Sequence, residues 1–539
     1  MTTFSPYPDV AIPNTDLWSF LFQRHRDFPD TQTLLTDAST GRSYTFADAR
    51  KLGLHFGRCL QQQWNWQKGD VMTVFSSNAI DLPPIIWGAI AVGGVVSPLN
   101  PAFSAKDLAH YLKDSKSRAV VTQRAQYPVV VEAAQKAGLD ASRIIVIDGP
   151  SPVLWQSNAA LIPDGEYSTP HRPPITDPKK DLVFLVYSSG TTGLPKGVML
   201  SHTNIVANLI QSAAVDDGVL THQDRTLACL PFFHIYGLTY LVNYGAFMGM
   251  STYIMPRFNL EQFCQTIQKH RITYAYTVPP VILQLLENPK AIQYDLSSIR
   301  MFKCSAAPLS RQLIQSLKTK FSIDVRQAYG MSECSPCTHL QTWQEAREHP
   351  GVAGRLIPNM VAKYVPIEGE KKTTNAPTEG ELWVKGPNVF LGYFNNPTAT
   401  AESFSPDGFY KTGDVGYEDP NGHFVITDRV KELIKYNGFQ VPPAELEGIL
   451  LGHPAVADVA VVGIPVGQAG SELPRAYVRT RAREQAHEQT GRDIQQFVKE
   501  RVASYKQLRG GVVFVEAIPR NPSGKILRRE LRRGNSSKI

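Results

Sequence analysis

Residues 181–198 read DLVFLVYSSGTTGLPKGV. The run from Leu182 to Tyr187 is apolar and rich in branched side chains, the pattern of a strand buried on both faces. It leads straight into a Ser/Thr/Gly loop that carries one lysine. Gly190, Gly193 and Gly197 allow successive backbone N–H groups to turn towards an anion. Ser188, Ser189, Thr191 and Thr192 add hydroxyl donors, Lys196 adds a point charge, and an amphipathic stretch begins at Ser201. A flexible polar loop would not need strand, hydroxyls, glycines and lysine in this order; a triphosphate cradle does. It is not a Walker A loop, because Pro195 stands where that motif has its second glycine and Gly197 follows the lysine.

Further buried runs lie at Val71 to Phe75, Ala119 to Thr122 and Ile272 to Val278, separated by longer helical patterns. This alternation predicts an α/β fold with mostly parallel sheets. A polar stretch at 366–379 predicts an exposed loop, with strand-like segments after it at Glu381 to Lys385 and His423 to Thr427. Asp428-Arg429-Val430-Lys431 follows, and there the charge balance changes. Residues 431–539 hold 18 Lys+Arg and 11 Asp+Glu, whereas the whole chain of 539 holds 55 and 48. The net +7 therefore lies in the last fifth, and residues 1–430 are neutral. A diffuse basic coat is excluded. A large body, 1–430, and a small basic α+β domain, 431–539, are expected.

A hydrophobic content of 42% and a charged content of 19% exclude a disordered chain. No apolar run reaches the roughly 18–20 residues of a spanning helix. No charged-then-apolar leader opens the sequence. Six cysteines make no disulfide framework and fit a reducing compartment.

The block SSGTTGLPKG resembles the signature of the adenylate-forming superfamily: acyl-CoA synthetases, firefly-type luciferases and peptide-synthetase adenylation domains. The resemblance continues in family order through PFFHIYG (231–237), QAYGMSE (327–333), YKTGDVG (410–416), DRVKELIKYNGFQVPPAELE (428–447) and NPSGKILRREL (521–531). The whole is most similar to the 4-coumarate–CoA ligases and their relatives. It implies a large N-terminal AMP-binding domain of β/α subdomains with a small β-barrel-like part, and a mobile C-terminal domain. It also implies two steps. A carboxylate attacks the α-phosphorus of ATP, releasing pyrophosphate, and then a thiol, usually of coenzyme A, displaces AMP.

Residue by residue, the resemblance assigns the phosphate loop, Gln327, Ala328 and Tyr329 to ATP, with Gln327 and Ala328 facing adenine and acyl group. Ser332 takes the place of an α-phosphate-touching threonine, and Glu333 holds Mg²⁺. Asp414 and Arg429 take the ribose. Lys525 reaches the substrate carboxylate and α-phosphate during adenylation, as a charge-assisted donor acting in the transition state. Lys431 is the hinge, and Lys435 to Phe439 serve the thioester step. This chain has Asn437 where plant relatives usually carry lysine; Gly438 is retained, and Arg257 replaces another CoA-contacting lysine.

His234, Tyr236, Tyr240, Ala306, Ala328, Pro336 and Cys337 are expected to line the acid pocket, with His234 gating the carboxylate. Two tyrosines opposite small residues suit an aryl or medium-length acyl group. Cys334 and Cys337 form C-x-x-C without a second ligand pair, so they read as pocket wall rather than a zinc site. The final Ser537-Lys538-Ile539 is close to the Ser-Lys-Leu address, which predicts a peroxisomal import receptor as partner, the protein otherwise being cytoplasmic. Arg528 to Arg533 is a short basic run without aromatic interleaving, better explained as a solvated helix face than as a nucleic-acid site. A luciferase-like enzyme with another acceptor shares every block and is the alternative to a CoA ligase.

Overall fold

The computed structural model describes residues 2–149, 170, 177–188, 195–366, 379–429, 431–436, 439–466, 471–482, 486–520 and 525–532; the side chains of 471 and 529 are not included. Ser189, Gly190, Thr191, Thr192, Gly438 and the Ser537-Lys538-Ile539 tail lie outside the described residues, as does most of the polar stretch 366–379.

Two sheets form the body. One has seven strands in the order Gly392–Tyr393, Lys196–Ser201, Leu182–Ser188, Val95–Leu99, Val71–Phe75, Ser117–Thr122 and Ile144–Val146. The other has nine and is parallel through its centre, where Thr33–Asp37, Ser251–Ile254, Arg225–Ala228, Tyr274–Thr277, Met301–Cys304 and Val325–Gly330 lie side by side. Continuous apolar runs are what such strands need, since helices cover both faces. All five residues of Val71–Phe75 and of Val95–Leu99 are buried.

A third, five-stranded sheet is antiparallel and draws Thr2–Phe4 onto Val361–Val365. This sheet occupies the place of the expected barrel-like part. Beyond it, the segments from Ile434 to Leu531 build separate apolar clusters around the antiparallel pair Val456–Val466 and Ser471–Thr480. The expected α/β architecture, with a large N-terminal body and a smaller C-terminal unit, is the one observed.

One local expectation is corrected. Lys196–Ser201 is a second strand, antiparallel to Leu182–Ser188. The stretch that follows, from Ser201, is not amphipathic. Ser201 caps the helix His202–Asp216 with a capping box, and twelve of its fifteen residues are buried. The helix crosses the interior, where its asparagine and glutamine side chains bond to backbone; Asn208, for example, donates to Cys337 O at 2.8 Å.

Candidate active site

The parallel strands end at one cavity of about 1020 Å³. Ligands of open α/β sheets bind at this carboxyl edge. Ser188 closes its strand, Ala306 follows Met301–Cys304, and Ala328 to Glu333 run along and just past Val325–Gly330. All of them line the cavity, together with Lys196, His234, Tyr236, Tyr240, Tyr329, Pro336, Cys337, Arg429, Lys431 and Lys525. Chain segments more than 300 residues apart thus meet around one space.

At its cationic, oxygen-rich part, Lys196 Nζ lies 4.7 Å from the ring centroid of Tyr393, and Tyr393 Oη donates to Glu333 Oε1 at 3.0 Å. Glu333 is buried, and burial raises its pKa. A buried carboxylate facing a cavity is a fitting ligand for a hard divalent cation that keeps phosphate oxygens and water as its other ligands. No group of three or more His, Cys, Asp or Glu that could hold a metal exists among the described residues. The Glu333 carboxylate thus suits a metal that is carried in with ATP rather than one held by a protein ligand cage.

Asp414 and Arg429 are a cross-strand pair. Arg429 Nε lies 2.6 Å from Asp414 Oδ1, and Tyr329 Oη donates to Asp414 Oδ2 at 2.6 Å. The Asp414 charge, outweighing burial, holds the Arg429 guanidinium above its usual range. Arg429 lines the cavity while Asp414 sits behind it, 2% exposed.

Lys525 arrives from the C-terminal unit. Next to it, Ile526 bridges to Arg520, and the Leu527 N–H donates to Pro519 O at 2.8 Å. Burial, then repulsion from Arg429, lowers the Lys525 ammonium to about 8. Three residues on, Arg528 Nη2 donates to both carboxylate oxygens of Glu447, at 2.7 and 2.9 Å, and Nη1 reaches Glu432 Oε2 at 3.1 Å. The expected solvated face of this basic run is therefore wrong at Arg528. Its guanidinium is largely enclosed, and burial pushes Glu447 up to about 7.

Another part of the cavity wall is aromatic. Tyr240 sits in a π-helical stretch, Leu238–Tyr244, of the kind that often marks functional sites. Its ring is edge-on to Tyr236 at 5.6 Å, and its hydroxyl pairs with Ser212 Oγ at 2.8 Å. His234 Nδ1 accepts the Tyr236 N–H at 3.3 Å, which leaves the ring proton on Nε2. Burial lowers His234 to about 4, so the imidazole is neutral near pH 7. Cys337 is a buried wall residue whose thiol is pushed up by burial.

Some assigned residues are not brought to the cavity. Gln327 is the clear departure: its Oε1 accepts the Leu309 N–H at 2.9 Å and its Nε2 donates to Val352 O at 3.2 Å, so the side chain braces two loops instead of facing adenine. Lys435, Arg257 and Phe439 are exposed and line no part of the cavity. Phe439 stacks on Tyr505 at 4.6 Å. The C-terminal unit turns its Lys525 side to the cavity, and the Ile434–Tyr436/Phe439–Val441 hairpin is left outside.

Sequence reasoning missed Tyr393, which lay in no recognised block. It also missed a buried cluster behind the wall: Lys303 Nζ is 3.5 Å from the Tyr240 centroid, and Arg326 pairs with Asp216. A lysine and an arginine inside strands of the apolar body were the available signal.

With this geometry in hand, the comparisons with known proteins are decisive. Residues 21–394 match the model of the AMP-binding enzyme family, and residues 445–525 match that of the AMP-binding enzyme C-terminal domain. The chain belongs to the AMP-binding enzymes. It is 36% identical to a probable 4-coumarate–CoA ligase 1 of Dictyostelium discoideum over 552 residues, covering 99% of this chain and 98% of the relative. It is 35% identical to 4-coumarate–CoA ligase 1 of Arabidopsis thaliana, covering 98% and 94%. ATP-bound MatB of Rhodopseudomonas palustris superposes with a TM-score of 0.85 at 26% identity, covering 97% and 99%. This AMP-binding enzyme is an AMP-forming acid–thiol ligase of the acyl-CoA synthetase kind. ATP, CoA and a small carboxylic acid are its substrates.

Proposed function

We propose that the acid is an aryl or medium-length acyl carboxylate, and that the residues around the cavity divide the work as follows. Lys196, with the phosphate loop, takes the ATP phosphates. Glu333 holds Mg²⁺, which when bound neutralises phosphate charge. Arg429 and Asp414 orient the ribose. The neutral His234 offers Nε2–H to the incoming carboxylate. Lys525 donates to the carboxylate and α-phosphate as charge shifts between them. The observation that carries this reading is the single cavity, where Lys196, Glu333, Arg429 and Lys525 share space with Tyr236, Tyr240, Ala306 and Cys337. Cations and aimed donors at the reacting anions, beside a partly aromatic wall, are what adenylate formation on a compact acid needs.

The chain would divide into a body, 1–430, and a mobile unit, 431–539, that turns about Lys431 to bring Lys435, Gly438 and Phe439 to the thioester step. Separate apolar clusters on either side of this boundary support that division. The terminal Ser-Lys-Ile would direct the protein to peroxisomes; a reporter carrying the last dozen residues should become punctate, and a diffuse signal refutes this.

The direct test is a panel of carboxylic acids assayed for ATP-dependent pyrophosphate release with and without CoA. Aryl and medium-length acids should give thioester only when CoA is present. Accumulation of acyl-AMP without thioester in the presence of CoA would refute the choice of acceptor.

A further inference from the structure

Nothing in the sequence blocks assigns a role to Tyr393, yet it touches both halves of the triphosphate machinery. Its hydroxyl donates to Glu333 Oε1, and its ring lies beneath Lys196 Nζ. Lys196 is 197 positions earlier in the chain and Glu333 is 60 positions earlier. All three side chains line the same cavity.

The backbone holds Tyr393 in this place. Gly392–Tyr393 is a two-residue strand that pairs with the strand leaving the phosphate loop: Tyr393 lies opposite Val198, and the Phe394 N–H donates to Gly197 O at 2.7 Å. The Tyr393 N–H donates to Thr400 Oγ1 at 2.9 Å, and the Phe390 ring meets the Tyr393 ring edge-on at 5.0 Å. The same segment reaches Glu333 through its backbone, because the Phe390 N–H donates to Glu333 O at 2.8 Å. Gly392 has φ +136°, and a Cβ there would lie 2.5 Å from Thr400 Cγ2, so the turn into this strand has little freedom.

We propose that Tyr393 is a positioning residue, a strut that fixes the Glu333 carboxylate and the Lys196 ammonium relative to each other so that the metal and the phosphates of ATP are met in one geometry. This rests on the reading of Glu333 as the Mg²⁺ ligand. The hydroxyl orients the carboxylate through Oε1, so that its remaining lone pairs are presented to a cation. The ring face holds the lysine through a cation–π contact.

The test measures ATP binding to the full chain by calorimetry across a Mg²⁺ titration, with thermal melting as the folding control. Tyr393→Phe keeps the ring and removes the hydroxyl. The Mg²⁺ concentration for half-maximal enhancement of ATP binding should rise about tenfold, the loss of one charge-assisted hydrogen bond, while Mg²⁺-free ATP binding changes less than about twofold. Tyr393→Leu removes the ring as well, and Mg²⁺-free ATP affinity should also fall, by about threefold. In a Glu333→Ala background, Tyr393→Phe should add nothing to the Mg²⁺ dependence. The strut is overturned if wild type responds to Mg²⁺ and Tyr393→Phe responds identically, or if the hydroxyl loss is the same with and without Glu333. A wild type whose ATP binding ignores Mg²⁺ would instead overturn the Glu333 reading, and the strut with it.

Discussion

A pH titration of the first half-reaction probes Lys525 most directly. Burial brings its ammonium down to about 8, Arg429 pushes the same way, and Glu432 and Asp414 oppose them. A group of that pKa is about nine-tenths charged at pH 7 and about one-tenth charged at pH 9. If the charged form is the donor, kcat/KM for the carboxylic acid should fall about tenfold over that interval, since this parameter reports the free enzyme. The assay is ATP–pyrophosphate exchange with MgATP kept well below its KM, so that the free enzyme is the form titrated, with circular dichroism to show that the fold persists at pH 9. Lys525→Arg keeps its charge throughout and should flatten the profile at a lower absolute rate. Lys525→Ala should lose about 10²–10³ in exchange rate with ATP affinity little changed. A flat wild-type profile refutes the lowered ammonium. An equal fall in Lys525→Arg moves the titration to another group.

The remaining predictions concern the walls. Arg326→Met leaves Asp216 buried without its partner and should cost about 3–5 kcal/mol in urea unfolding, whereas Asp216→Asn with Arg326→Met should recover part of it; strictly additive losses would refute the coupling. A Cβ on Gly330 would lie 2.0 Å from Pro336 O, so Gly330→Ala must displace the Pro336–Cys337 wall; KM for the acid should rise at least about tenfold, and an unchanged KM counts against this wall as the acid site. His234→Gln should weaken acid binding yet leave the shape of the rate profile between pH 6 and 7.5 intact, because His234 with a pKa of about 4 does not titrate there; a changed shape would show that the imidazole takes up a second proton in that range and refute its neutral role.

The sequence was legible where chemistry is local. The buried strand that ends at Ser188 and the lysine Lys196 beyond it announce themselves by type and spacing, Ala306 and Ala328 by the family resemblance, and the structure brings these four residues to one cavity. It was illegible where a side chain's role depends on distant partners. Gln327 sits within a recognised block, yet its amide is held by Leu309 and Val352. Arg528 looked like one charge of a solvated run until Glu447, 81 positions earlier, enclosed it. Tyr393 gained its place only when its strand paired with residues nearly 200 positions away. Periodicity carries no information about such contacts, because tertiary pairing and not local spacing decides which polar group is satisfied by which.

The strand Thr2–Phe4 has a consequence for how the protein is made. Its partner in the sheet is Val361 to Lys363. A ribosome adding about 5–20 residues per second needs about 18–72 s to carry synthesis from one segment to the other. Throughout that interval the first strand emerges with no edge to join, and Thr33–Asp37, paired along one edge with Ser43–Thr45, waits along the other for Ser251–Ile254. The nine-stranded and five-stranded sheets are therefore completed late in translation, by beginnings held open until their middles exist, which makes the nascent chain a natural client for chaperones that shield unpaired strands.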